Sequence, residues 1–230
     1  MRGESEEYLA AVGMWREAWR PARVTVLLVA ESHVAETDGD AGIRVRSPGW
    51  VKRELPETYV RLVYCLGYGE SSLCSPRPVA NGGTWQFWNL LGRLGLGSWA
   101  RMPRPSVGPE ARLRWKVDVL NGLAKRGVWL QNASPIGLYA PGGHRLANGP
   151  NYDRLIRQGY EQFVWPSVRD DQPEQVWVIG RGVGKALAGM PGIDPGCVIS
   201  QPQDRNQSRH RTGLRKLDTA IENLTARPRN

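Results

Sequence analysis

Apolar positions along the chain fall into two kinds of run. Four are short and nearly unbroken: VTVLLVA (24–30), VWLQNASPI (128–136), QVWVIG (175–180) and CVIS (197–200). Continuous runs of this length, bounded by turn residues, read as strands buried on both faces. The other runs repeat at helical spacing. Residues 5–20 place Leu9, Val12 and Trp15 or Trp19 on one stripe before Pro21. Further helices are predicted at 57–66, at 84–96 (TWQFWNLLGRLGL), at 110–126 ahead of Gly127, at 151–168 ending near Pro166, at 185–190 after the turn RGVG, and at 214–224. Between them lie polar segments rich in Gly, Pro, Ser and Asn, at 34–57, 71–83, 137–153 and 201–213.

Strands that alternate with helices build a parallel sheet covered on both faces, so the predicted class is α/β, a three-layer α/β/α sandwich around a central four-stranded parallel sheet. At 230 residues the chain fits a single domain. We divide it into an N-terminal helix (1–23), a core (24–224) and a short tail (225–230). Ligands of such sheets sit outside the carboxyl ends of the strands. The polar clusters of this sequence follow the predicted strands at that edge: Glu31-Ser32-His33, Gln131-Asn132, Arg181, and the stretch from Gln201 to His210. One site assembled from four strand ends is the expectation.

Charge narrows the partner. The chain carries a net charge of +9, and only five of its 31 basic residues are Lys, the other 26 being Arg. Arg forks suit phosphates and base edges, so a polyanion is favoured, although a GC-rich genome also inflates Arg. Three widely spaced cysteines, Cys65, Cys74 and Cys197, do not describe a disulfide framework, and with three histidines they leave little for a metal. No signal-peptide pattern opens the chain and no run approaches the ~18 apolar residues of a membrane span. A cytoplasmic, monomeric protein with no metal, no cofactor and no membrane partner is expected.

Each candidate residue has two readings. Glu31, at the end of a buried strand, suits a general base or a charge facing a cation, or else Glu31 or Ser32 caps a following helix. Asn132 presents both a donor and an acceptor to a base edge, or else bonds its own turn before Pro135. GRGVGK (180–185) is not a phosphate loop of Walker type, because three residues rather than four separate Gly180 from Gly184 and Ala186 follows Lys185. The turn can still set Arg181 and Lys185 against a DNA phosphate. Arg205, Arg209 and Arg211, with His210 among them, either clamp phosphates around an extruded nucleotide or form a solvated basic loop.

In order and spacing these segments resemble the uracil-DNA glycosylase superfamily, most closely its single-strand-selective monofunctional branch. VLLVAESHVAE (26–36) sits where that superfamily has a strand and a Gly-x-x-Pro-Gly-type loop. GGTWQFWNLLGRL is similar to its Gly-x-x-x-Trp helix, VWLQNASPIGLY to its strand ending in Asn, VWVIGRGVGKAL to its Ile-Gly-x-Gly-Arg turn, and QPQDRNQSRH to its His-Pro-Ser-Pro loop. The resemblance spans about residues 24–224. It implies an enzyme, a DNA glycosylase that binds single- or double-stranded DNA, flips out a nucleotide and hydrolyses its N-glycosidic bond. Carried over by position, Glu31 is the catalytic carboxylate, and among the catalytic residues Glu31, Ser32 and His33 one positions the water. Asn132, Gln201 and His210 meet the base, and Arg181, Lys185, Arg205, Arg209 and Arg211 meet the DNA. The sequence departs from the pattern at Ala30, where Gly is expected, at His33, where Pro is expected, and at Gln201, where His is expected. Those changes and the long 137–153 loop favour an enlarged base such as glucosylated hydroxymethylcytosine in viral DNA. That chemistry belongs to bacterial antiviral defence glycosylases. The alternatives are uracil excision in DNA repair and a catalytically silent DNA-binding module.

Overall fold

A computed structural model of the chain describes residues 4–75, 85–97, 100–140, 144–202 and 207–226. Four strands, β1 (Val26–Ala30), β4 (Val128–Asn132), β5 (Gln175–Ile179) and β6 (Val198–Ile199), form one all-parallel sheet in the order β4-β1-β5-β6. Every residue of β1 and β4 is buried, as the unbroken apolar runs require. β1 pairs with β4 from Val26↔Val128 to Ala30↔Asn132, and with β5 from Val26↔Gln175 to Val29↔Val178. Two more short strands, β2 (Arg44–Val45) and β3 (Cys74–Ser75), make a separate antiparallel ribbon.

The helices are α1 (Glu6–Ala18), α2 (Trp85–Leu96), α3 (Pro109–Lys125), α4 (Gly149–Gly159), α5 (Trp165–Asp171), α6 (Arg181–Ala186) and α7 (Gln207–Thr225). α2 packs on α3 and α7, whereas α4 packs on α6. Right-handed crossovers put these two groups on opposite faces of the sheet, which gives the expected three-layer α/β/α sandwich. The chain leaves β1 toward β4 and leaves β5 toward β6. The crevice between the carboxyl ends of β1 and β5 is therefore the topological switch point of the sheet, where ligands of such folds bind.

Four predicted elements differ. Residues 57–66 are not a helix but turns. Tyr59, Val60, Leu62, Val63, Tyr64, Cys65 and Leu66 are all buried, so no polar stripe exists to face water. Their backbone is satisfied from outside: Trp15 Nε1 donates to the Thr58 carbonyl at 2.8 Å, Trp19 Nε1 to that of Tyr64 at 3.1 Å, and the Arg61 N–H to the Tyr8 hydroxyl at 2.8 Å. The helix predicted at 151–168 passes Pro166 and ends at Asp171. A π-helical segment, Tyr160–Val164, widens the helix before α5, and Pro166 falls in the first turn of α5, where a missing N–H costs little. Finally, α7 starts at Gln207 rather than 214, and α6 starts at Arg181 rather than 185. His210, Leu214, Leu217 and Ile221 all turn one buried face inward at spacings of three and four, which extends the helix into the polar run.

Candidate active site at the carboxyl edge of the sheet

Glu31 follows β1 directly, and the pairing continues past the strand end. Ala133 N–H donates to the Ala30 carbonyl at 2.7 Å and Ser134 N–H to that of Glu31 at 2.9 Å. No helix follows β1, which removes the helix-cap reading of Glu31 and Ser32. The Glu31 side chain is buried at the switch point, 5% exposed. Three donors converge on it: the Tyr139 hydroxyl at 2.9 Å, Arg145 Nη2 at 3.3 Å and Gln201 Nε2 at 3.3 Å. A buried carboxylate without such partners costs several kcal/mol, so this constellation explains how the residue is tolerated there.

Two aromatic rings complete the enclosure. The Arg145 guanidinium lies 4.7 Å from the Tyr152 ring centre and 5.6 Å from that of Tyr139, and also donates to the Tyr139 hydroxyl at 3.0 Å. Burial, opposed by Arg145 and joined by Glu31, holds the Tyr139 phenol above its ordinary range. Burial and the neighbouring Glu31 carboxylate do the same to Tyr152, whose hydroxyl makes no well-formed hydrogen bond. Both phenols are thus neutral donors at physiological pH. Tyr139 and Arg145 are opposed across a hairpin, closed by Ala140 N–H to the His144 carbonyl and Leu146 N–H to that of Leu138, each at 2.9 Å. The hairpin is tied to the β1 loop by Ala35 N–H donating to the Tyr139 carbonyl at 2.8 Å.

Gln201 reaches Glu31 because of a glycine. Gly180 ends β5 at φ 108°, and a Cβ there would lie 3.1 Å from the Gln201 side chain, so a larger residue would be strained and would crowd the amide. Across the sheet edge, Asn132 accepts at Oδ1 from Arg16 Nη2 at 2.9 Å. It bonds neither its own turn nor Glu31. Burial pulls the Arg16 guanidinium down to about 10, so it stays charged at neutral pH, and its Nε is buried without a partner.

Ser32 and His33 hold loops. The Ser32 hydroxyl donates to the His33 carbonyl at 2.9 Å and accepts from the Leu138 N–H at 3.0 Å. His33 is 3% exposed, with Nε2 2.8 Å from Glu4 Oε1. Burial lowers the imidazole, with Glu4 opposing in part. For Glu4, burial pushes up, but His33 and the N–H groups of Gly137 and Glu36 outweigh it and hold the carboxyl below its usual range. The pair is therefore a neutral imidazole donating from Nε2 to a carboxylate, with Nδ1 bare and unpartnered.

His210 lies on α7, buried, with Nδ1 2.9 Å from the Ser200 carbonyl. Arg181, Lys185, Arg209 and Arg211 are exposed, Arg181 and Lys185 one turn apart on α6 and Arg209 and Arg211 in the first turns of α7. Arg205 lies outside the described residues. Of the predicted residues that are described, only Gln201 hydrogen-bonds to the Glu31 carboxylate. Tyr139, Arg145 and Tyr152 were not singled out by sequence reasoning. The one signal for them is the long 137–153 loop, which places Tyr and Arg six residues apart across its glycines.

Among the described residues no group of His, Cys, Asp or Glu is placed to hold a metal ion, and no helix is long and apolar enough to cross a membrane. The three cysteines are unpaired thiols. Comparison of the chain with protein-family models, with curated proteins and with solved structures finds no match.

Proposed function

We propose that this protein is a monofunctional DNA glycosylase with Glu31 as its catalytic carboxylate. The observation that carries the reading is the buried Glu31 carboxylate at the switch point of a parallel sheet, enclosed by neutral phenols, an amide and one cation. An extruded nucleotide seated over this edge sets its sugar against Glu31. As the C1′–N bond breaks, its electron pair leaves with the base and the sugar takes on oxocarbenium character, which the carboxylate stabilises at short range. Water adds its oxygen to C1′ and its proton ends on the departing base, leaving a free base and an abasic sugar. Glu31 orients that water. Gln201 and Arg145 supply donors for the negative charge on the leaving base. Asn132, its oxygen held by Arg16, turns its amide nitrogen to a base acceptor. Ser32 and His33 act through the loop that carries Glu31. No lysine joins the Glu31 cluster, which fits hydrolysis by water rather than by an amine nucleophile.

Arg181, Lys185, Arg205, Arg209 and Arg211 are the phosphate contacts in this reading. Their contacts offset the few kcal/mol needed to extrude a base. The polar ring around Glu31 and the Tyr139–Arg145 hairpin favour a modified cytosine that carries hydroxyl groups, as in glucosylated viral DNA, over a bare uracil. The rival reading is a silent DNA-binding module, favoured by one feature: Arg145 already engages Glu31 where a sugar would sit.

Incubation with genomic DNAs of differing base chemistry, followed by mass analysis of released bases, tests both. Release of a glucosylated base by the wild type and not by Glu31→Gln supports the proposal. Release of uracil alone moves the substrate to repair. DNA retention with no base released at stoichiometric enzyme supports the silent module.

A further inference from the structure

A second concave site lies beside the first, on the outer side of the β5 and β6 ends. A cleft of about 610 Å3 opens between β6 and α7, with Arg181 of α6 on its rim. α7 contributes Ser208, Thr212 and Lys216, four residues apart on one helical face, with Arg209 three before Thr212 at the border of that face. Gly213 lets that face approach the sheet, since a Cβ there would stand 3.0 Å from the Ile199 side chain. Trp177 lines the apolar side. Among the described residues that line the cleft there is no carboxylate. Ser200 also lines it, 3% exposed, and its hydroxyl has no hydrogen-bond partner. The loop around that hydroxyl is fixed, because His210 Nδ1 sits 2.9 Å from the Ser200 carbonyl. Three cations that line one cleft with a hydroxyl lacking a partner match a tetrahedral oxyanion with several acceptor oxygens. The volume exceeds what a bare anion fills, and the Trp177 wall suits an attached organic group.

We infer that this cleft is a binding site for the phosphate group of a nucleotide, with Arg181, Arg209 and Lys216 as its cationic contacts and the Ser200 hydroxyl as a buried donor. For Arg181 and Arg209 the inference deepens the phosphate-contact reading given above, and it does not depend on base excision. Its test uses full-length Glu31→Gln protein, so that loss of catalysis cannot disturb the readout. The probes are inorganic phosphate, deoxycytidine 5′-monophosphate and a ten-residue single-stranded oligonucleotide without terminal phosphate, followed by backbone amide shifts and calorimetry. Phosphate and the monophosphate are expected to move the amides of Ser200, Ser208, Thr212 and Lys216 in a saturable way. The double variant Arg181→Gln/Lys216→Gln should weaken that binding at least about tenfold, and Ser200→Ala should weaken it while leaving the near-UV spectrum intact. Competition by the oligonucleotide identifies the ligand as a chain phosphate. Binding of the monophosphate without such competition identifies a terminal or free phosphate. Shifts that map elsewhere, or affinities unchanged in both variants, overturn the assignment.

Discussion

At the residue scale, Glu31 is the position on which the functional reading turns. Glu31→Gln keeps shape and burial but removes the charge, so base release should fall at least about 100-fold with little loss of stability. Equal excision by the variant, measured as alkali-labile sites, removes Glu31 from the mechanism. Arg145 separates the two readings of the cluster. In an enzyme, Arg145→Gln should slow release of the base, because one of its donors is gone, while thermal stability changes little at this half-exposed site. A larger turnover in the variant would instead make Arg145 a block on Glu31. The His33–Glu4 pair gives a pH dependence with a definite sign. His33 binds its proton less readily folded than unfolded, and Glu4 does the same. Stability should therefore decline as pH falls below about 6.5 for His33 and further below about 4.5 for Glu4. Urea midpoints measured between pH 8 and pH 4 check it, and His33→Gln should flatten the upper part of the decline.

At the scale of elements, close backbone approach decides what the pattern of apolar residues does not. α4 crosses the loop after β4 at Gly159, where a Cβ would sit 2.2 Å from the Ala133 carbonyl oxygen. Gly159→Ala must push the helix away, carrying Tyr152 with it. A loss of about 1–3 kcal/mol in denaturant unfolding is expected, with weaker excision in the fraction that folds. The residues of α7 make the contrasting case. Leu217 is fully buried on that helix, so Leu217→Ala should cost about 2–5 kcal/mol through the cavity it leaves. Residues 57–66 show why a helical reading of a sequence can fail. Their apolar side chains are buried all round, and Trp15, Trp19 and Tyr8 supply the backbone partners that a helix would have supplied internally.

At the scale of the whole molecule, the +9 charge predicts binding to DNA that weakens steeply with salt. The slope of log K against log salt should be about −0.7 per phosphate contact on single strands and about −0.9 on duplex, measured by anisotropy between 50 and 300 mM salt. A slope near zero would make the basic surface incidental. The sequence by itself determined the sheet, because unbroken apolar runs have no stable home except between two layers of helices. It also determined which edge carries the polar residues, since Glu31, Asn132, Arg181 and Gln201 each follow such a run. Only the tertiary structure decided which of them meet. Strand order places β1 beside both β4 and β5, Gly180 lets Gln201 across, and a hairpin more than 100 residues downstream brings Tyr139 and Arg145 onto Glu31. Contacts between distant segments depend on the path of the chain through space. Local hydrophobic periodicity holds no record of that path, so the neighbours of Glu31 were illegible until the sheet was folded.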